Sequence, residues 1–405
     1  MAEITAEQFR TEALGFLAAH AEPRREVHTG WGEGSDQVAV FKEQSDEDEA
    51  AEVARAKEWR AQLYDAGFGW ISGPPSYGGR GLPRDYERIW QGCEAGFSTP
   101  SQAPFGIGLG MIAPTVLAHA TEPVKQRYLP ALYRGEAIAC QLFSEPVAGS
   151  DLAGIQTKAV LDGDEWVISG QKVWTSGAQY SDVGEIITRT STHAESRHRG
   201  MTMFLVDMSA PGVEVRPLRQ MTGGASFNEV FFTDVRVPDE MRLGDVDGGW
   251  SVALTTLMNE RYAIGGGSLD VGRNLIGRLS ELARRGGGAD DPLVRQALAD
   301  VYINSAVAKY TTMRANAKMA AGGLPGPELS ILKLSLTQNM SRMSSAATAL
   351  LGPALVADTE EWGTYAWSQF VLGVPGIRVA GGTDEVLRNI IGERVLGLPK
   401  EPRGS

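Results

Sequence analysis

Three short stretches gather residues that could bind or hold a ligand at polar atoms. In RVAGGTDEVLRN, residues 378–389, two glycines precede Thr383 and Asp384, either of which can cap the amphipathic stretch that follows. The amides left exposed there suit something negative or polar. In CQLFSEPVAGSD, residues 140–151, small residues and hydroxyls offer a hydrogen-bonding edge to a polar ligand. In GQKVWTSGAQYSD, residues 170–182, Trp174 stands beside Thr175 and Ser176, an aromatic face with hydroxyls that suits a flat heterocycle. Taken singly, each stretch also has a plain reading as a turn, a loop or a core tryptophan.

Other chemistries lack their residues. His20, His28, His119, His193 and His198 form no HxH or HExxH pattern and have no cysteine partners at zinc spacing, so no metal is expected. No G-x-S-x-G elbow, Walker A loop or clear G-x-G-x-x-G after a strand is present. Cys93 and Cys140 are too few for a disulfide framework and are expected as small buried hydrophobes. A net charge of -12 opposes a nucleic-acid partner, which needs a concentrated basic face. No apolar run reaches bilayer length, and MAEITAEQFRTEALGFLAAHAEP lacks a basic-then-apolar leader. The expectation is a soluble cytoplasmic protein with no membrane partner.

The 405 residues, 42% of them hydrophobic, suffice for two or three domains. Up to residue 138 the text is helical, as in EDEAAEVARAKEWRAQLYDAG and EPVKQRYLPALYRGE, with GPPSYGGRGLP as a turn-rich loop between them. The acidic GEGSDQVAVFKEQSDEDE has poor periodicity and is expected to be a solvated excursion. From residue 139 to 243 the period becomes two, in KAVLDGDEWVISG, EIITRT, MTMFLVDM, VEVRPL and EVFFTDVRVP, with DGD at 162–164 as a hairpin turn. From residue 244 helical periodicity returns almost to the end, arguing for an antiparallel bundle.

These motifs, with FNEVFFTDVRVP, GGW and the closing GGTDEVLRNIIGERVLGLP in this order, closely resemble the acyl-CoA dehydrogenase family over nearly the whole chain. The resemblance implies an α+β fold: an N-terminal helical domain (1–138), a central β-barrel (139–243) and a C-terminal four-helix bundle (244–405). It also implies FAD, an acyl-CoA thioester substrate oxidised between Cα and Cβ, and an electron-transfer flavoprotein-type acceptor. The implied assembly is a homodimer or homotetramer, or a heteromer with a related subunit. For the cofactor it implies Gln141, Phe143 and Ser144 at the flavin's pyrimidine edge. Gly149 and Ser150 then lie towards phosphate, Ser150 also serving CoA. Trp174 covers the ring, Ser176 lies near its reactive nitrogen, and Thr383 and Glu385 lie near FAD.

The α-proton of a thioester is weakly acidic, so a carboxylate must take it while hydrogen bonds stabilise the enolate charge. Many family members carry that glutamate directly before Gly-Thr in the last turn, where this chain has Gly381. A smaller group, resembling isovaleryl-CoA dehydrogenase, carries it on an earlier helix before an arginine, which matches Glu260 and Arg261 in LMNERYAIGGGS. Several actinobacterial dehydrogenases of steroid side-chain degradation also combine a Glu-Arg pair with a GGT turn. A helical Glu beside Arg is ordinarily a solvated pair. Here Leu257, Met258, Tyr262, Ala263 and Ile264 surround it with apolar groups, and a carboxylate facing them has a raised pKa, with Arg261 orienting it or contacting substrate. Gly265, Gly266 and Gly267 each cost a helix about 0.8–1 kcal/mol relative to Ala, which either close packing or a widened acyl pocket explains.

The pattern departs from the family where FAD's adenine half is held. Arg285 occupies the position of an arginine that reaches FAD across a subunit boundary, but Gly288 and Ala289 replace the Phe-Gly that follows it. Ala349, Gly352 and Pro353 stand where Gln, Gly and Gly are expected. Two alternatives to the dehydrogenase reading follow: a non-catalytic partner subunit of a heteromer, and a flavin-dependent oxidase or oxygenase of the same fold.

Overall fold

The computed structural model describes residues 4–24, 31–41, 43–192, 196–266, 271–320 and 329–400. The chain divides into two compact units, residues 1–27, 44–218 and 225–256 forming one, and residues 28–43, 219–224 and 257–405 the other.

The first unit begins with helix α1 (Ala6–His20), started by a capping box in which Thr5 and Gln8 satisfy each other's backbone amides. Phe9, Ala13 and Leu17, spaced by four, bury one face of it against Trp59 and Leu63 of α2 (Asp46–Asp65) and Trp90 of α3 (Asp85–Glu94). Ser45 caps α2, and Asp46, Glu47, Asp48 and Glu49 in its first turn complement the helix dipole. Helices α4 (Ala113–His119) and α5 (Glu122–Arg134) complete this part, α5 stopping on Gly135 at φ 82°. Strands β1 (Glu22–Pro23) and β2 (Phe97–Ser98) pair with each other.

The strands of this unit's sheet are β3 (Ala139–Leu142), β4 (Lys158–Asp162), β5 (Glu165–Ser176), β6 (Val183–Arg189), β7 (Met201–Asp207), β8 (Val213–Leu218), β9 (Phe227–Pro238) and β10 (Arg242–Leu243), of which β4 to β9 contain the expected period-two runs and β3 and β10 lie outside them. They hydrogen-bond in the order β10-β7-β6-β4-β5-β9-β8, with β3 parallel to β6. Among the described residues these eight strands form one sheet, and no ladder joins β10 to β8. Strands β4 and β5 are joined at Gly163, whose φ of 68° is left-handed backbone that glycine adopts without strain. From β6, Val183–Thr188 are buried on both sides of the strand. Helix α6 (Gly249–Gly266) follows, and the division between the units falls inside it, after Thr256.

The second unit holds α7 (Val271–Arg285), α8 (Pro292–Ala320), α9 (Leu329–Leu351), α10 (Ala366–Val379) and α11 (Asp384–Ile390). Helix α9 packs against the other four, and Leu279, Val301, Met340, Ala347, Trp367 and Phe370 lie in the core between them. The acidic segment is not a solvated excursion. Its residues 32–41 dock on this unit: Val38 enters the core, Arg278 donates to the carbonyls of Ser35 and Gln37, and Trp362 Nε1 donates to that of Gly34. Composition alone missed this because irregular backbone can be satisfied by side chains arriving from remote helices.

Candidate active site

Sequence-expected residues fall in two clusters, one in each unit. In the first, β3 runs straight into the loop that carries Phe143, Ser144, Gly149 and Ser150. Gln141 and Ser144 are half-buried, Phe143 is buried, and Gly149 and Ser150 are exposed. The loop is fixed from below by a pair that residue counting passed over. Lys172 of β5, wholly buried, donates Nζ to Oε1 of Glu145 at 2.9 Å and to the carbonyl of Phe143 at 3.0 Å. Glu145 also accepts the backbone N–H of Gln156 at 2.6 Å and of Thr157 at 3.0 Å. Burial lowers the Lys172 ammonium to about 8 against the opposing pull of Glu145. Burial pushes the Glu145 carboxyl up, but Lys172 and the hydrogen bonds outweigh it and leave it below its ordinary value.

Beyond Lys172, β5 slips register against β9 between Lys172 and Thr175. Trp174 sits in that irregularity at φ 62°, a left-handed conformation unusual for a bulky side chain. Its indole is 62% exposed, steadied by the edge of Phe227 at 6.1 Å and 81°. A large ring held open in this way is not the core tryptophan of the plain reading. Thr175 points inward, its Oγ1 buried with no hydrogen-bond partner among the described residues, and Ser176, half-buried, ends the strand.

A second buried acid in the first unit was also missed. Glu185 of β6 stands in register with Gln141 of β3 and accepts a hydrogen bond from Thr256 Oγ1 of α6 at 3.1 Å. Thr256 is in turn 3.0 Å from Thr115 Oγ1 of α4, which donates to the carbonyl of Met111. Burial pushes the Glu185 carboxyl up to about 8, the Thr256 hydroxyl opposing it.

In the second unit, Gly381 and Gly382 turn the chain at φ 64° and 94°. Thr383, not Asp384, is the N-cap, its hydroxyl accepting the N–H of Val386 at 3.2 Å. Asp384 is buried instead, accepting from Thr337 Oγ1 and Arg378 Nε, each at 2.8 Å. Burial pushes its carboxyl up, but Thr337, Arg378 and Lys333 bring it below the usual carboxylate range. Lys333 of α9, 1% exposed, donates Nζ to the carbonyl of Gly382 at 2.7 Å and of Arg378 at 3.3 Å. Burial lowers its pKa, while Asp384 and Glu260 act to raise it. Glu260, half-buried on α6, is therefore within electrostatic reach of the ammonium that holds the turn. Glu385 is exposed and pairs with Arg388, and Arg285 pairs with Glu281 and lies 5.2 Å over the ring of Trp31. The side chain of Arg261, with those of residues 262–266, and Gly267 altogether, lie outside the described residues.

One signal could have found Lys172, Glu185 and Lys333. Each is a charge in the apolar phase of its element: Lys172 after Trp166 and Ile168 at even spacing, Glu185 inside VGEIIT, Lys333 among Leu329, Leu332, Leu336 and Met340. Among the described residues no group of three or more His, Cys, Asp or Glu is placed to hold a metal ion, and no helix is long and apolar enough to cross a membrane.

The N-terminal, middle and C-terminal domain families of acyl-CoA dehydrogenases match residues 5–136, 140–235 and 247–396. The chain belongs to the acyl-CoA dehydrogenase family. Acyl-CoA dehydrogenases are FAD-dependent oxidoreductases of acyl-CoA thioesters, and this member is 35% identical over 405 residues to acyl-CoA dehydrogenase IpdE1 of Mycobacterium tuberculosis, covering 98% of this chain and 99% of that protein. It is 38% identical over 360 residues to acyl-CoA dehydrogenase FadE34 of the same organism, covering 86% of this chain and 48% of that longer one. Among solved structures it is similar to the Tcur3481-Tcur3483 steroid ACAD, at 26% identity and a TM-score of 0.72 over 98% of both chains. It is also similar to the ChsE4-ChsE5 complex from Mycobacterium tuberculosis, at 27% identity and 0.71 over 99% of this chain and 100% of that one.

Proposed function

We propose that this acyl-CoA dehydrogenase desaturates a thioester between Cα and Cβ, with Glu260 taking the α-proton. The observation that carries the assignment is the absence of any carboxylate at Gly381 together with a half-buried Glu260 felt by the buried ammonium of Lys333. A base must be ionised before it can accept a proton, and a neighbouring cation favours that form. Lys333 at the same time braces the turn through two backbone carbonyls.

FAD suits the chemistry of the first cluster. Trp174 presents an open aromatic face, Thr175 has a hydroxyl without a partner among the described residues, and Ser144, Ser176, Gly149 and Ser150 supply hydroxyls and backbone amides. When bound, FAD supplies the hydride acceptor for Cβ. Within this reading Gln141, Phe143 and Ser144 hold the flavin edge and Trp174 covers it. Gly149 and Ser150 lie towards phosphate, Ser150 also meeting CoA, and Arg261 serves the substrate. Thr383, Glu385 and Arg285 belong to the cofactor's remaining contacts, and the domains are taken as 1–138, 139–243 and 244–405.

The acyl group proposed is bulky and alicyclic, which is supported by the likeness to a structure named as a steroid ACAD. The working form proposed is an oligomer, with a second copy or a related chain, passing electrons to an electron-transfer flavoprotein-type acceptor. An exposed apolar stripe along α8, with Ile303, Val307 and Tyr310 on one face, supports assembly. The deciding experiment is the visible spectrum of the purified protein, followed anaerobically as steroid-derived, alicyclic, branched and linear acyl-CoA thioesters are added. Bleaching by one thioester supports the reading. A protein that takes up FAD and is bleached by none overturns it, and one that takes up no FAD turns the search to a partner chain.

A further inference from the structure

We propose that the buried Lys172–Glu145 pair is the positioning device of the flavin site, a function separate from holding the fold together. Its hydrogen bonds converge from three separate stretches. Lys172 holds the carbonyl of Phe143, Glu145 holds the N–H groups of Gln156 and Thr157, and the N–H of Val173 donates to the carbonyl of Ser144 at 2.9 Å. The loop carrying Ser144, Gly149 and Ser150 is thereby fastened at both of its ends, and the fastening strand is the one that presents Trp174 two residues later.

Folding alone does not ask for such a pair. Two charges removed from water lose their hydration, and a well-packed apolar pair of similar volume commonly serves stability as well or better. What an apolar pair cannot do is hold a carbonyl and two amides at set positions. Charge-assisted hydrogen bonds are shorter and stronger than neutral ones, so the backbone of residues 143–145 and 156–157 is kept in a single arrangement before any ligand arrives. A site organised in advance spends less of its binding energy on ordering the loop.

This inference rests on the placement of the flavin against loop 143–150 and Trp174, and the experiment separates the two. FAD is titrated into flavin-free full-length protein by fluorescence, and thermal unfolding of the flavin-free protein is recorded alongside. Lys172→Met is expected to lower both stability and FAD affinity, since Glu145 is left buried without its cation. The informative variant is Glu145→Leu with Lys172→Met, which leaves no buried charge unpaired: stability recovers above that of Lys172→Met but stays below the parent, because the Phe143 carbonyl and the Gln156 and Thr157 N–H groups lose their partners, while FAD stays at least tenfold weaker than in the parent. A stable double variant that binds FAD within twofold of the parent overturns the inference. Should the double variant not fold, Glu145→Gln, which keeps the shape and removes the charge, is judged in the same way, weakened FAD binding supporting the inference and parental affinity overturning it. Trp174→Ala leaves the pair untouched and reports on the flavin's placement by itself.

Discussion

The hydroxyl of Thr256 on α6 donates to the carboxyl of Glu185 on β6 at 3.1 Å, and among the described residues none meets the second Glu185 oxygen, which is fully buried. A lone acid in that position is far cheaper to bury neutral than charged. Its folded pKa, about 8, is raised above the ordinary 4.5. The stability it contributes is therefore complete below about 4.5 and is lost as pH rises through about 8. We expect the parent to lose stability relative to Glu185→Gln by about 1.4 kcal/mol per pH unit across that window. Urea unfolding of both proteins between pH 5 and 8.5 measures it, and a pH-independent difference would contradict it.

Glu260→Gln keeps the shape of the proposed base and removes its ability to accept a proton. FAD content should stay that of the parent while the rate of flavin reduction by acyl-CoA falls by roughly 10²-fold to 10⁴-fold. Stopped-flow absorbance measures the rate, and a fall below tenfold would move the base elsewhere.

Lys333→Met removes the cation that braces Gly382 and acts on Glu260. A carboxylate that loses a nearby positive charge is harder to ionise, so the acid limb of the pH–rate profile should move to higher pH. Stability should fall by about 1.5–3 kcal/mol, the range for hydrogen bonds to charged groups. An acid limb that does not move would mean that Lys333 serves the turn alone.

Trp174→Ala deletes a ring that the folded chain leaves largely open, so unfolding of the flavin-free protein should change by no more than about 0.5 kcal/mol. FAD should bind several-fold to tenfold more weakly, since an aromatic contact is worth about 0.5–1.5 kcal/mol beyond its buried area. Unchanged affinity would remove Trp174 from the cofactor site.

On α8, Val307→Glu places a charge in the middle of the exposed stripe formed with Ile303 and Tyr310. Sedimentation velocity should show a smaller species than the parent. A particle of unchanged size would place the assembly surface elsewhere.

The order of helices, strands and helices, the hairpin at Gly163 and the glycine turn before Thr383 are all legible in the sequence, because periodicity and turn chemistry are local properties. Trp174 and the small-residue loop are legible as candidates, since their residue types already carry the chemistry. The acidic segment at 32–41 misleads, because its partners Arg278 and Trp362 lie more than two hundred residues away. The strands are legible but their pairing is not: β3 lies parallel beside β6, and β4 lies between β6 and β5, outcomes of long-range register. Which residue of the last turn caps α11, Thr383 or Asp384, was likewise settled by Thr337 and Arg378, which hold Asp384 buried. The sequence by itself determined the elements and the family. The tertiary structure alone decided which charges leave water, Lys172, Glu185, Lys333 and Asp384, because burial is set by every element packed around a side chain and not by its neighbours in the chain.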